Sequence, residues 1–316
     1  MVQRHPLVAY FALAYLITWT CQFAAFALAS ADGVGLENED NFLHFADLLT
    51  LDLPAERLVP LLLFNVGQFG PFISAFLLTG LLYGGVGVRD LALRIVRWRV
   101  APFWYVVVIA LPLLLATVAL AVAFATSGFQ LPTLSPALAW GSLLGFLLYV
   151  IVFNGLAEEP GWRGFALPHL QARYSADRSS WILGPLWGVW HLPFLVFLNL
   201  SQPFAVIPLL FALILGIVGW TIVNTWIYNS TRSVLVMVLL HGWYVAVQSY
   251  LILSQSNALV ATVYSFVPWV IAILLVKRYG EDNLAPVSRP KWWPGRYSVE
   301  QRGADADRAA TAPQAG

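Results

Sequence analysis

The sequence predicts an all-α fold, a polytopic membrane helix bundle of about eight transmembrane helices. Three observations carry that expectation. Of the 316 residues, 59% are hydrophobic and only 10% charged, with a mean hydropathy of +0.74, whereas a soluble domain carries about 25% charged residues. Long apolar runs recur along the chain, each near the roughly 20 residues that cross a bilayer. The basic residues fall between these runs with a strong bias.

In chain order the runs are 6–29, 58–83, 101–126, 137–157, 180–199, 204–228, 233–253 and 258–276. The first is too long for the apolar stretch of a cleaved signal, which is roughly 7–15 residues, and reads as a retained span. The seventh and eighth follow each other closely and predict a tight hairpin. Fourteen Trp and twenty Phe suit lipid-facing and interfacial positions. Residues 280–316 are rich in Pro, Arg, Ala, Gly and Asp without an apolar period. They predict a disordered cytoplasmic tail behind a membrane domain at 1–279.

Charge sets the expected orientation. With both termini in the cytoplasm, the inside segments are 1–5, 84–100, 158–179, 229–232 and 277–316. These hold sixteen of the seventeen Lys and Arg residues, Arg57 being the exception, while the outside loop 30–57 carries seven Asp and Glu. That is the positive-inside pattern of a multi-pass protein of the inner (cytoplasmic) membrane. Arg89, Arg94, Arg97 and Arg99 make 84–100 a basic loop whose simplest role is orientation at the inner leaflet. A net charge of +1 gives no reason to expect nucleic acid. The single cysteine, Cys21, excludes an intrachain disulfide and a cysteine metal site. No internal repeat suggests a transporter of two inverted halves.

Ionisable residues inside apolar spans are functional-site candidates. Glu158 and Glu159 end the fourth run, with Arg163 four residues on. Adjacent helical residues point about 100° apart, so the two carboxylates do not face one cavity equally. Glu159 and Arg163, at i and i+4, share a face and are expected to pair, which leaves Glu158 for chemistry. Pro160 is expected to kink the helix and open it toward a wet cavity. His191, in Trp-Gly-Val-Trp-His-Leu-Pro, and His241, in Leu-Leu-His-Gly-Trp-Tyr, sit at similar depth in later spans. Two chemistries are open to this set. Glu158 can act as a general base on water with His191, while His241 stabilises an oxyanion. Alternatively Glu158, His191 and His241 can hold Zn²⁺. Partners that would orient the imidazoles on a metal are not evident in these apolar spans, so no stoichiometric zinc is expected. There is neither a His-Glu-x-x-His nor a Gly-x-Ser-x-Gly motif.

The ordered set Glu-Glu-x-x-x-Arg (Glu158, Glu159, Arg163), Trp187-x-x-x-His191 and a late His241 resembles the CPBP family of CAAX prenyl endopeptidases and bacteriocin-processing or immunity proteins, also called the ABI family. The contexts Glu-Glu-Pro-Gly-Trp-Arg-Gly-Phe, Trp-His-Leu-Pro-Phe and Asn229-Ser-Thr231-Arg-Ser233 add to it. The resemblance covers roughly residues 140–250 and implies an intramembrane endopeptidase, often described as a metalloprotease, with its catalytic core at about 137–253. It makes Glu158 the catalytic carboxylate and Glu159 with Arg163 a supporting pair. His191 helps activate water, and His241 serves the oxyanion or a metal. The implied substrate is a membrane-anchored or membrane-associated peptide or protein met within the lipid bilayer. Two positions depart from the family pattern. Trp187 stands for a usual Phe, a mild change. Val245 stands for an Asn, with Asn224, Tyr244 or Gln248 as replacements. A non-catalytic immunity or partner-binding protein on the same scaffold is the alternative, and a proton-relaying transporter a third.

Overall fold

The computed structural model describes residues 3–32, 36–45, 54–127, 138–255 and 257–286. Within them every regular element is helical. The elements are α1 (Pro6–Asp32), α2 (Asn38–Leu43), α3 (Ala55–Gln68), α4 (Gly70–Ile95) and α5 (Phe103–Thr126). Then come α6 (Trp140–Gln171), α7 (Ala176–Trp190), α8 (Leu192–Leu198), α9 (Pro203–Thr231), α10 (Val234–Gln255) and α11 (Ala258–Tyr279). Seven of these helices are long and apolar enough to span a membrane. The count reaches eight when α7 and α8, bent by 42° at His191, form one broken span. The protein is a multi-pass membrane bundle, as its composition predicts.

The expected second span, 58–83, is divided. Pro71 has no N–H to give the carbonyl of Gly67, so the helix breaks at Phe69, and Thr18 Oγ1 from α1 donates to that carbonyl at 2.7 Å. The membrane-length helix is instead α4, which runs through much of the stretch expected to be a basic loop. It turns at Gly84, whose φ of 62° suits glycine. Arg94 is consequently not a headgroup anchor. It is 7% exposed and donates to Gly164 O (2.8 Å) and Tyr228 Oη (3.0 Å), with Asp90 at 3.0 Å. Proline again explains the partner, since Pro168 cannot donate to Gly164 O.

Pro160 does not open α6. The helix continues past it to Gln171, with wide π-type turns at Ile151–Leu156 and Trp162–Ala166 on either side of the glutamates. Such turns relax the i to i+4 pairing that a proline interrupts and recur at functional sites. Glu158 and Glu159 therefore lie inside the bundle, 2% and 1% exposed, rather than at its edge.

Close approach of α6 to α10 brings the site together. A Cβ at Gly155 would stand 2.4 Å from Val238 O, and one at Gly242 would stand 2.9 Å from Ile151 Cα. Only glycine permits that spacing, as small residues do between membrane helices. Beyond α11 the chain stays packed through Ala285. The carbonyls of Asp282 and Glu281 accept from the N–H groups of Ala176 and Asp177, each at 3.0 Å, closing the start of α7. The remaining tail, 287–316, lies outside the described residues.

Candidate active site

A cavity of about 480 Å³, a size typical of ligand sites, opens between α1, α3, α6, α7, α8, α9, α10 and α11, with Asn38 of α2 at its edge. Glu158, His191 and His241 all line it, together with Trp187, Tyr244 and Val245. Glu159 and Arg163 are not among its lining residues and stand behind Glu158.

The carboxylate of Glu158 is fixed through one oxygen. Oε2 accepts from Trp162 Nε1 at 3.0 Å, one turn along α6, and from Trp187 Nε1 at 2.8 Å on α7. Among the described residues, none donates to Oε1. The Trp at 187 is thus not a mild replacement for Phe, because a phenyl ring has no N–H to give. The same indole lies 4.3 Å under the Arg163 guanidinium and 5.8 Å from the His241 ring, so Trp187 separates the supporting pair from the cavity.

Glu159 Oε1 accepts from Arg163 Nη1 and from His241 Nδ1, both at 2.9 Å. Arg163 is fully buried, and the amide orientation that satisfies Asn224 has its Oδ1 accepting from Arg163 Nη2 at 2.8 Å and Trp220 Nε1 at 3.1 Å. Asn224 is therefore committed to Arg163 and does not replace the Asn missing at 245. Tyr244 and Gln248 do line the cavity beside Val245.

His191 occupies the bend between α7 and α8, where Pro193 cannot donate to Val189 O. Its Nδ1 stands 2.9 Å from Trp187 O. A carbonyl only accepts, so Nδ1 carries the proton and Nε2 is the free basic nitrogen. His241 likewise donates its Nδ1–H to Glu159 Oε1, which leaves Nε2 as the ring nitrogen available to the cavity, a donor when the ring is the imidazolium.

These contacts bear on metal binding in two ways. Each imidazole has the Nδ1 partner that metal-bound histidines usually have, so the sequence-based ground for expecting no zinc does not hold. Among the described residues, however, no group of three or more His, Cys, Asp or Glu is placed to hold a metal ion. The residues as arranged do not form a three-ligand site.

Residues 139–247 match the family model described as type II CAAX prenyl endopeptidase, Rce1-like. The curated CAAX prenyl protease 2 of Methanococcus maripaludis is 28% identical over 143 residues, which cover 44% of this chain and 52% of that relative. The match thus spans about half the relative's length. Glu158, Glu159, Arg163, His191 and His241 all fall inside the matched segment, so the part of the chain that carries the candidate site is the part that is similar to the CAAX prenyl endopeptidases.

Proposed function

We propose that the protein is an intramembrane endopeptidase that uses Glu158 as general base on a water molecule, without a metal-bound step. The observation that carries this reading is a buried carboxylate with one oxygen pinned by two indoles, facing a cavity shared with two oriented imidazoles.

In the reaction, Glu158 Oε1 takes a proton from water as its oxygen attacks the carbonyl carbon of the scissile peptide. His191 Nε2 accepts a hydrogen bond from the same water and aligns it. His241 serves in its imidazolium form, with its Nδ1–H held by the Glu159 carboxylate, and so has an Nε2–H to direct at the developing oxyanion. When the C–N bond breaks, the proton held by Glu158 passes to the departing amine. The two indole donors keep Glu158 from rotating out of line, which is the positional role a catalytic group requires. The substrate is a membrane-associated peptide or protein. The same reading places the protein in the cytoplasmic membrane with cleavage near the cytoplasmic leaflet.

The test is a comparison of membrane proteomes from cells with wild-type protein and with Glu158→Ala. The expected result is one or more membrane proteins that stay uncleaved only in the variant. Identical peptide termini in both, with the wild type folded and abundant, would remove the peptidase reading.

A further inference from the structure

Three amide side chains on three different helices line the same cavity as Glu158. They are Gln22 on α1, Gln68 at the end of α3 and Asn154 in the first wide turn of α6. Asn154 Nδ2 donates to Gln68 Oε1 at 3.2 Å. Each partner keeps one buried polar atom with no hydrogen bond among the described residues, Asn154 Oδ1 and Gln68 Nε2, and Gln22 Oε1 is a third. Gln22 and Gln68 are 4% and 3% exposed. Buried polar atoms without partners are costly and rare in folded proteins. Here three residues that line one cavity each carry such an atom, on helices that converge from separate parts of the chain, and a small turn of each amide would present it to a ligand.

The chemistry of that ligand follows from the set. A carboxamide pair joined by one hydrogen bond leaves one whole amide nitrogen and one whole amide oxygen without a partner, whichever way the two amides are turned. In an extended peptide strand a residue's own N–H and C=O point to the same side, as in the paired residues of an antiparallel sheet. One such residue satisfies both members of the pair, and its neighbour can reach Gln22. Much of the rest of the cavity is apolar, with Phe64, Leu209 and Leu213 in its lining, and supplies little for a backbone that must be satisfied away from water.

We propose that Gln68 and Asn154, with Gln22, form a peptide-backbone subsite that grips an extended substrate strand as a neighbouring strand would. The inference rests on the peptidase reading and adds to it how the chain is held. Asn154 stands one helical turn from Glu158, ~6 Å along α6, which is about two residues of extended peptide. The gripped residue is therefore about two positions from the scissile bond. Recognition of this kind reads the backbone, so it tolerates many side chains there but not a backbone N-methyl group or a proline.

The experiment uses full-length protein in lipid nanodiscs and a fluorogenic library of apolar octapeptides. The fastest-cleaved sequence is remade with a single N-methyl group at each position in turn. The expected result is a roughly tenfold to hundredfold loss of kcat/KM at one position about two residues from the cut, with changes under about threefold at positions further away. In Gln68→Leu and in Asn154→Leu, KM rises about tenfold and the N-methyl penalty disappears. A flat N-methyl scan on wild-type protein overturns the inference without relying on any variant's folding, and so does a penalty that persists in both folded variants. Binding of the same peptides to Glu158→Gln, read by fluorescence anisotropy, separates the two ideas. Peptide bound through the amides but never cut by wild type keeps the subsite and removes the peptidase. Cleavage that ignores the amides does the reverse, and no binding with no cleavage removes both.

Discussion

Glu159 and His241, 82 residues apart in sequence, meet through a single carboxylate oxygen that also holds Arg163, both contacts at 2.9 Å. Sharing one oxygen prevents a two-pronged Glu159–Arg163 pair. Glu159 Oε2 and Arg163 Nε are left buried without partners among the described residues. The arrangement gives up part of an ion pair to orient an imidazole, and it makes Glu159 answerable for both fold and chemistry.

Substitution of the two glutamates should separate these duties. Glu158→Gln is expected to abolish cleavage while leaving the melting temperature in detergent close to wild type. Glu159→Gln is expected to cost roughly 3–5 kcal/mol of stability, because Arg163 loses its compensating charge in the interior, and also to lower activity through His241. Thermal melts and a cleavage assay on both proteins decide this. Equal losses of stability and of activity in the two variants would contradict the division.

Trp187→Phe retains an aromatic face against Arg163 but removes one donor from Glu158. A hydrogen bond to a charged group contributes about 1.5–3 kcal/mol, so kcat is expected to fall roughly tenfold to hundredfold. Trp162 still donates to the same oxygen, and the double variant Trp162→Phe/Trp187→Phe should lose more than either single change. Full activity in the double variant would mean that the indoles only fill space.

Metal analysis of protein purified without chelators is expected to find no stoichiometric zinc, on the ground that no three-ligand group is placed to hold it. One zinc per chain that disappears together with activity in His191→Ala would overturn the metal-free step and would require the cavity to close around the ion.

Val245 stands one turn from His241 and lines the cavity at 9% exposure. An amide there would face the space in which the oxyanion forms. Val245→Asn is expected to raise turnover by up to roughly 100-fold, the scale of one oxyanion donor. An unchanged rate would point to Gln248 or Tyr244 as the donor already in place, and mutation of each would then find it.

Orientation is testable by cysteine labelling in a background with Cys21→Ala. Asp40→Cys should react from outside and Ser298→Cys only from the cytoplasmic side. Labelling of both from one side would reject the arrangement derived from the basic residues.

Fold class was legible because composition and run length depend on the solvent, and a bilayer demands helices of a fixed length. The Glu159–Arg163 contact was legible too, since i, i+4 geometry is local. What escaped were consequences of contact between distant spans. Pro71 looked like an ordinary residue of a long run, yet it divides that run because Thr18 can serve the abandoned carbonyl. Pro160 looked like a kink, yet the wide turns around it absorb the defect. Arg94 looked like surface charge until Gly164 and Tyr228 reached it. Trp187 was noticed for its ring, whereas its N–H mattered. Gln22, Gln68 and Asn154 carry no mutual spacing signal, and only the packing of α1, α3 and α6 puts them in one cavity.

The burial of Arg94 also bears on the order in which the molecule can be made. Its carboxylate companion, Asp90, lies one turn away on the same helix and is available as soon as α4 exists. Its other two partners, at Gly164 and Tyr228, are 70 and 134 residues further along. During synthesis from the N-terminus, the guanidinium therefore enters the membrane as half of a neutral pair and waits there. It reaches its final contacts only after α6 and then α9 have been delivered, so this corner of the bundle closes in stages and is complete before α10 brings His241 to Glu159.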